Sequence, residues 1–399
     1  MATASGMRWA SALSERVELS EALREVGDGV VEALGGEPDL VIAFASDHYR
    51  QVEARLPEAL QRVLSPRVVI GSAASGVIGH GREVERREAL SVLAARLPGV
   101  GLHPFHFELA PDSRADWDTL LGLSGRVAQG MLLLSDPFSI DIEAVLGSLD
   151  RVYPETAKSG ALVSGAREPG RSTLFLDGQA VHEGVVGLAF SGELEMRTLV
   201  AHGCRPIGEP MIVTDCQDMV IRMLNVGRPV DALREVMARL APQDQELARH
   251  SLYLGIAAGS VVHQREAPGY LIRDIAGVDP VGGALAVYGG CKPYDVIQFH
   301  VRDSRTCSQD LNARLRAFHR DDPAAARQRG ALLFSCSSRG EGFYGEPNHE
   351  SDLFCRRAGH VPLSGFFGNG ELGPVGGVSY LHANSSAFAL FCEPEGGAD

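Results

Sequence analysis

Three stretches of this chain repeat one pattern, in which a buried apolar run is followed by a helix-forming segment and a second apolar run. The first runs are "PDLVIAFAS" (38–46), "QGMLLLSDPF" (129–138) and "GALLFSCSS" (330–338). The segment after the first of them opens on Asp47, a good N-cap, and each unit has the ~30 residues or more of a βαβ unit. The repeat therefore predicts parallel strands joined by helical crossovers.

Antiparallel elements lie between these units. The stretch "TLFLDGQAVHEGVVGLAF" carries Asp177-Gly178, a two-residue hairpin turn, and residues 270–303 alternate apolar and polar side chains between turns. We therefore expect a two-domain α/β fold with mixed β-sheets. In this fold βαβ units alternate with antiparallel hairpins, and helices cover the sheets.

The length of 399 residues exceeds what one hydrophobic core usually supports. The helical stretch "RPVDALREVMARLAPQDQELARHS" offers a place to divide the chain. We predict a helical or flexible amino-terminal segment (1–34), an amino-terminal domain (35–227), a connecting helix (228–251) and a carboxy-terminal domain (252–393).

The formal net charge of −14 argues against binding to a nucleic-acid backbone or to an anionic membrane surface. No apolar stretch reaches the ~18 residues of a membrane helix, and the amino terminus lacks the apolar core of a secretory signal. The seven cysteines are scattered without a C-x-x-C pair, which is typical of free thiols in a reducing compartment. We therefore expect a cytoplasmic protein with no nucleic-acid and no membrane partner.

The stretch "LSGFFGNGELGPVGG" (363–377) contains the letters of a dinucleotide-binding fingerprint, G-x-G-x-x-G, from Gly368 to Gly373. That fingerprint holds a pyrophosphate only when a helix follows it. The residues after Gly373 are typical of a strand, so the sequence does not predict a nucleotide site. Glycines at this density expose backbone amides that bind carboxylates and other anions, although a tightly packed turn is the alternative.

The polar segment "SCSSRGEGFYGEPNHES" (335–351) leaves the end of the third buried strand. Ligands of α/β proteins gather outside the carboxyl ends of strands, and long loops in compact domains usually have a role. A structured turn without a ligand is the alternative interpretation. In the ligand-binding interpretation Arg339 pairs with a carboxylate and Glu371 receives an amine. The predicted site residues are Cys336, Arg339, Tyr344, Asn348, His349, Phe367, Asn369, Gly370, Glu371, Gly376 and His382.

Two other chemistries are open at this point. A haem group could bind through a histidine such as His182, His202 or His349. Cys336 could be a catalytic nucleophile if a histidine approached it, but sequence distance does not establish such a contact. No metal-ligand spacing occurs. We expect a non-catalytic binding protein without a cofactor, with a haem protein and a cysteine enzyme as the alternatives.

Several motifs, in order along the chain, resemble one known family. They are "SAASGVIGHGREVE" (72–85), "GCRPIGEPMIVT" (203–214), "LIRDIAGVDPVGGALAV" (271–287), "VIQFHVRD" (296–303), "EPNHES" (346–351) and "LSGFFGNGELGPVGGVSYLHANSSAFALF" (363–391). Together they resemble FIST domains, the F-box and intracellular signal transduction family, over roughly residues 35–393.

The resemblance implies a FIST-N part followed by a FIST-C part. It also implies an intracellular sensory module that binds a small ligand, for which amino acids have been suggested, while some bacterial relatives bind haem and sense nitric oxide. We therefore expect a small-molecule ligand, anionic or zwitterionic, and a separate signalling output protein as the partner. The family supplies no settled catalytic residues, so none is predicted.

Overall fold

The computed structural model describes residues 6–49, 55–111, 115–258 and 269–396. These residues form two compact units. The larger unit combines the chain up to Val200 with the chain from Asn312 onward, and the smaller unit is Ala201–Leu311. This division by packing differs from the predicted sequence domains, 35–227 and 252–393.

The larger unit consists of three repeats with the same order of elements: edge strand, helix, first strand, helix, second strand, hairpin and returning strand. The first repeat contains β1 (Arg8–Ser14), α1 (Leu19–Leu34), β2 (Leu40–Ser46), α2 (Leu56–Leu64), β3 (Val68–Ala74), β4 (Gly76–Gly79), β5 (Arg82–Glu85) and β6 (Leu90–Arg96). The second contains β7 (Val100–Phe107), α3 (Trp117–Leu120), β8 (Ala128–Ser135), α4 (Ile142–Val152), β9 (Lys158–Leu162), β10 (Leu174–Leu176), β11 (Gln179–Val181) and β12 (Val185–Gly192).

The third repeat begins with β13 (Glu195–Ala201) and is then interrupted along the chain by the smaller unit. That unit contains β14 (Cys204–Gln217), β15 (Val220–Leu224), α5 (Pro229–Arg239), α6 (Pro242–His250), β16 (Leu252–Ala257), β17 (Tyr270–Val278), β18 (Leu285–Val287) and β19 (Val296–Arg302). The chain re-enters the larger unit within α7 (Ser304–Asp321), at Asn312. The repeat then continues with β20 (Gln328–Cys336), α8 (Glu341–Tyr344), α9 (His349–Ala358), β21 (Leu363–Gly368), β22 (Glu371–Val375), β23 (Val378–His382) and β24 (Ser386–Cys392). Short 3₁₀ turns cover Asp47–Tyr49 and Pro323–Arg327.

The three predicted βαβ units are confirmed. Strands β2 and β3, β8 and β9, and β20 and β21 are parallel neighbours. The second strand of each pair carries a glycine at the same register position: Gly71, Gly160 and Gly365. A Cβ on any of the three would lie 1.8 Å from a carbonyl oxygen of the first strand. The glycines are therefore required by close backbone approach.

Each six-stranded sheet is completed by a hairpin that belongs to another repeat. The strand orders are β1-β6-β2-β3-β10-β11, β7-β12-β8-β9-β22-β23 and β13-β24-β20-β21-β4-β5. The hairpin of the first repeat thus extends the third sheet, that of the second repeat extends the first sheet, and that of the third repeat extends the second sheet. The exchange is cyclic, so the larger unit has threefold organisation within one chain.

The three sheets share one hydrophobic core, to which each sheet contributes fully buried residues such as Ile42, Leu134 and Phe334. The Phe44 ring packs against Phe366 with a centroid separation of 4.9 Å, and such aromatic pairs add to the stabilisation from area burial. Helices cover the outer faces, as predicted.

The second repeat shows how the sequence forms the helical crossover between two parallel strands. Asp141 accepts a hydrogen bond from the Ala144 amide at 3.1 Å and caps α4. The apolar residues predicted to lie on one helical face are buried; they are Ile142, Val145, Leu146 and Leu149. In the first repeat the predicted helix after Asp47 includes residues 50–54, which lie outside the described residues.

The smaller unit is a closed barrel with the order β14-β15-β18-β17-β16-β19 around its own apolar core. The prediction of one connecting helix over 228–251 is wrong, because two helices occupy this stretch. Leu240 and Ala241 are extended, with ψ of 151° and 150°, since Pro242 disfavours helical geometry in the preceding residue.

The amino-terminal segment 1–34 is not only helical. Residues 1–5 lie outside the described residues, but β1 pairs antiparallel with β6 from Arg8 to Ser14 and forms the edge of the first sheet. Helix α1 then buries Val26, Val30 and Leu34. The segment is therefore the start of the first repeat rather than an appendage.

Replacing Gly365 by alanine should destabilise the larger unit by ~3 kcal/mol or more, because the new methyl group can be accommodated only by separating β20 from β21. Urea denaturation would measure the free energy of unfolding. Gly147→Ala is the matched control: Gly147 is in α4, a Cβ there meets nothing within 4 Å, and the change should stabilise by up to ~1 kcal/mol. Equal effects of the two substitutions would contradict the close-approach explanation.

Candidate functional site

The carboxyl ends of the three second strands meet at one hydroxyl group, that of Ser164. Its Oγ accepts a hydrogen bond from the Ser75 amide at 2.9 Å, lies 3.0 Å from the Ser75 hydroxyl, and donates to the carbonyl oxygen of Phe367. The Asn369 amide donates to the Leu162 carbonyl at 3.0 Å. Ser75, Ser164 and Asn369 occupy equivalent positions after β3, β9 and β21, so each repeat contributes one residue to this junction.

A cavity of about 830 Å³ lies at this junction. Its volume falls within the ~300–1,000 Å³ of ordinary small-molecule sites. The lining residues come from the strand ends and from the loop between β9 and β10. They are Asp47, Ala73, Ser75, Ser164, Gly165, Ala166, Arg167, Glu168, Arg171, Ser172, Thr173, Ser337 and Asn369.

Two arginines give the cavity its capacity to bind an anion. Arg167 and Arg171 are both exposed, and neither forms an ion pair with any residue that the structure describes. Below them Ser172 is buried, and its hydroxyl donates to the buried carboxylate of Asp136 at 2.5 Å. A planar guanidinium without a counter-ion binds carboxylates and phosphates in bidentate geometry.

Of the predicted site residues, only Asn369 lines this cavity. Ser337, which lies in the polar segment 335–351 but is not one of the predicted residues, lines it as well. The two residues are close: the Ser337 amide donates to Gly368 at 2.8 Å, and its hydroxyl lies 3.4 Å from Asn369 Oδ1. The segments 335–351 and 363–377 are therefore adjacent, but Ser337 and Asn369 are their only residues in the described lining of the cavity. The other predicted residues do not line the cavity.

Arg339 does not fit the predicted role of pairing with a ligand's carboxylate. Its side chain is fully buried and its Nε donates to Glu350 Oε1 at 2.6 Å. It also donates to the Asn384 carbonyl and to the Tyr344 hydroxyl. Burial opposes ionisation of Glu350, but the Arg339 charge and the hydrogen bonds from Ser386 and Tyr344 outweigh it and lower the Glu350 pKa. Arg339 is therefore saturated within the fold.

Glu371 is buried, and its environment does not offer an open acceptor for a ligand amine. Its Oε2 accepts hydrogen bonds from the amide and hydroxyl of Ser385 at 3.1 and 2.7 Å, whereas Oε1 has no hydrogen-bond partner among the described residues. Burial raises the pKa of Glu371 to about 8, against the lowering effect of the Ser385 hydrogen bonds. Burial therefore favours the protonated form of this carboxyl in the folded chain.

Cys336 is a buried thiol at the end of β20. It is 8% exposed, and the Ser338 hydroxyl lies 3.2 Å from its Sγ. Burial, followed by the charge of Glu371, raises the pKa of Cys336. Since the thiolate is the nucleophile, this environment does not activate the residue for covalent chemistry.

Four further predicted residues position α9 or the cavity floor. Asn348 precedes α9 with φ of 60°, and its Oδ1 accepts from the Glu83 amide at 2.8 Å. His349 Nδ1 lies 2.5 Å from Glu346 Oε1, and its ring stacks on Tyr344 with a centroid separation of 4.0 Å. Phe367 is 3% exposed and contributes its carbonyl oxygen to the Ser164 junction.

The last three predicted residues belong to the hairpin β22–β23. Gly370 does not line the cavity. Its carbonyl accepts a hydrogen bond from the Leu162 amide at 2.8 Å and so joins the second and third repeats. Gly376 forms the exposed turn between Val375 and Val378 with φ of 60°. His382 is buried, with Nε2 at 2.9 Å from the Gly373 carbonyl. The fingerprint spelled by Gly368–Gly373 is thus a strand-to-strand connection and not a nucleotide site.

None of the three candidate haem histidines lines the cavity. His182 Nδ1 lies 2.7 Å from the Ser172 carbonyl, and His349 is engaged by Glu346. His202, in the smaller unit, is buried at 9% exposure. Across the part of the chain that the structure describes, no three His, Cys, Asp or Glu side chains are grouped so that they could hold a metal ion. No helix among the described residues is long and apolar enough to span a membrane.

Sequence reasoning missed most of the cavity wall. The sequence presents Asp47 only as a helix cap, and it predicts no site residue in the stretch between β9, which ends at Leu162, and β10. The residues of that stretch from Ser164 to Thr173 form the loop that carries both arginines. A signal was present: this loop follows the second strand of its repeat, as the glycine-rich stretches after β3 and β21 do.

The substitution Glu371→Gln should flatten the dependence of stability on pH. Between pH 4.5, the ordinary carboxyl pKa, and about 8, the unfolded chain releases the Glu371 proton while the folded chain retains it. The free energy of unfolding of the natural protein should therefore fall as pH rises through this window, by an amount on the order of a few kcal/mol, and then level off. Glutamine is neutral throughout and removes this contribution.

The measurement is a series of urea denaturations from pH 5 to 8.5 on the natural protein, Glu371→Gln and the exposed control Glu108→Gln. Only the first of the two variants should change the slope. Parallel curves for all three proteins would show that Glu371 is ionised in the fold.

The substitution Arg339→Met should cost ~3–5 kcal/mol of stability, because it leaves the Glu350 carboxylate buried without its counter-ion. Arg62→Met is the control, since Arg62 pairs with Glu58 on the exposed surface of α2, where such pairs contribute ~0.3–0.5 kcal/mol. Thermal unfolding distinguishes them. If the melting temperature were unchanged and ligand binding were lost, Arg339 would be a ligand-binding residue, as the sequence predicts.

Comparison with known proteins identifies the family. The FIST N domain model matches residues 39–226 and the FIST C domain model matches residues 229–374. The uncharacterized protein Rv0628c of Mycobacterium tuberculosis is 32% identical over 362 residues, which are 91% of this chain and 93% of that protein. The uncharacterized protein Mb0898c of Mycobacterium bovis is 30% identical over 375 residues, covering 93% and 95% of the two chains.

Similarity to solved structures is weak. The structure described as "Cyanuric acid hydrolase: evolutionary innovation by structural concatenation" has a TM-score of 0.34 and 10% identity, covering 97% of this chain and 100% of that chain. "T. maritima PurL complexed with FGAR" has a TM-score of 0.22 and 9% identity, covering 97% and 72%. Scores this low carry no argument about fold or function.

The two matched models follow each other in the order that the resemblance predicts and together cover most of the chain. FIST domains are sensory domains of signal-transduction proteins. The identities to the mycobacterial relatives extend over more than nine-tenths of the sequence. The chain therefore belongs to the FIST family, with a FIST N domain followed by a FIST C domain.

Proposed function

We propose that this protein is a cytoplasmic sensor that binds a small anionic or zwitterionic metabolite in the cavity at the junction of the three repeats. The observation that carries the proposal is the pair Arg167 and Arg171 in the wall of a polar cavity of about 830 Å³, neither of which forms an ion pair with a residue that the structure describes. A carboxylate or phosphate on the ligand would supply the missing charge.

The architecture around the cavity supports a sensory role. Its lining residues come from all three repeats, for example Asp47, Ser164 and Ser337. A ligand that contacts all of them favours the arrangement in which the repeats are closed on one another, and its binding energy adds to the stability of that state. A separate output protein would then recognise the closed state.

The cellular location is part of the proposal. All seven cysteines are free thiols, at positions that the structure describes. Free thiols, including the partly exposed Cys204, Cys216 and Cys355, persist in reducing compartments. The cysteine-enzyme alternative gains no support, because the buried Cys336 thiol has a raised pKa.

The double substitution Arg167→Gln/Arg171→Gln should weaken binding of the anionic ligand about tenfold or more while leaving the melting temperature of the free protein within ~1 °C, since both side chains are exposed and form no ion pair with a described residue. The ligand would first be found by thermal-shift screening of amino acids, dicarboxylates and sugar derivatives. The control is Arg24→Gln, an exposed arginine on α1. Retention of the ligand-induced shift in the double variant would contradict the proposed site.

A further inference from the structure

The composition of the cavity wall restricts the ligand further than its charge alone. Ala73, Gly165 and Ala166 are the nonpolar members of the described lining, which contains no aromatic and no branched aliphatic side chain. Most small-molecule pockets are lined predominantly by such apolar groups. A ligand with a large apolar part would desolvate polar groups here without replacing their hydrogen bonds. The ligand is therefore polar over most of its surface.

The remaining wall is rich in groups that both donate and accept hydrogen bonds. Ser337 carries an exposed hydroxyl, Ser75 a half-buried hydroxyl and Asn369 an exposed amide, while the buried Ser172 hydroxyl already donates to Asp136 and can only accept from a ligand. A hydroxyl on the ligand has the same dual capacity, so a polyhydroxylated skeleton complements such a wall at many points. An aliphatic or aromatic amino-acid side chain does not.

The charges of the lining limit the number of anionic groups. Arg167 and Arg171 are accompanied by Asp47 and Glu168, so the formal charges of these four side chains cancel. One anionic group can be held by the two guanidiniums. A chain of phosphates would also meet the two carboxylates, which repel it.

The size of the cavity sets a lower bound on the size of the ligand. A volume of about 830 Å³ lies near the upper end for sites that enclose drug-sized molecules. A free amino acid would leave much of the polar wall in contact with water, whereas a mono- or disaccharide-sized molecule reaches opposite walls.

We propose that the ligand is a polyhydroxylated molecule of at least monosaccharide size that carries one anionic group. This inference rests on the proposed function, because it assigns a ligand class to the same cavity. The anionic group is a carboxylate or a phosphate, so a sugar acid and a sugar phosphate share the required chemistry. Asp47 and Glu168 accept hydrogen bonds from hydroxyls of the skeleton, and the arginines hold the anion.

Isothermal titration calorimetry of the full chain with four probes tests this inference. D-Glucuronate and D-glucose 6-phosphate carry the anion on a sugar skeleton, D-glucose lacks the anion, and L-glutamate lacks the polyhydroxylated skeleton. At least one of the two anionic sugars should bind with a Kd about tenfold or more below those of D-glucose and L-glutamate. Which of the two binds more tightly distinguishes the carboxylate from the phosphate.

Three variants test whether residues of the cavity wall cause the preference for an anionic sugar over D-glucose. In Arg167→Gln/Arg171→Gln the ratio of Kd values for D-glucose and the better anionic sugar should fall to about one, while Arg24→Gln should retain the ratio of the natural protein. Ser337→Ala should weaken both sugars by a similar factor, because it removes a hydroxyl partner and no charge.

The outcomes separate the ligand class from the proposed function. Tighter binding of L-glutamate than of either anionic sugar, lost in the double arginine variant, would overturn the sugar class and leave the cavity as the sensory site. Binding of no probe would overturn the ligand class. If the wider metabolite screen also yielded no shift, the proposed function would fail with it.

Discussion

The structure depends on the cyclic exchange of hairpins among three repeats. Because each hairpin completes the sheet of a different repeat, every sheet contains strands from two repeats, and the three sheets are all complete only when the three repeats are in place. The exchange fixes where the second strands end, and the Ser164 hydroxyl then joins Ser75 to Phe367. The cavity forms because the carboxyl ends of β3, β9 and β21 converge and the loop after β9 extends beyond them.

Polar groups near this junction are of two kinds. Among the residues that line the cavity, Arg167 and Ser337 are exposed, whereas Ser172 is buried and donates to Asp136. Arg339, Glu350 and Glu371 do not line the cavity; they are buried and bonded to one another or to neighbouring serines. Buried polar networks are costly unless their hydrogen bonds are made, so these buried groups serve the fold, and the exposed groups of the lining can reach a ligand.

The repeat pattern of apolar runs predicts the three parallel strand pairs correctly, since each pair is local in sequence and its length and periodicity are visible. The pairing of β22 with β9 is not predictable in the same way, because it joins residues about two hundred positions apart and no local pattern encodes it. The ion pair of Arg339 with Glu350 forms because the fold places α9 beside this arginine. No local pattern encodes that contact, so from the sequence alone Arg339 is predicted to be available to a ligand. Arg171 is the opposite case: it is exposed in the loop after β9, but no local pattern in the sequence marks that loop as part of a site.

The most direct test of the account is a crystal structure of the protein with the probe that gives the largest thermal shift. The account predicts electron density for the probe between the ends of β3, β9 and β21, with its anionic group against Arg167 or Arg171 and its skeleton against Ser337 or Asn369. Density confined to the barrel of residues 201–311, or to a site formed by Arg339 and Tyr344, would contradict it.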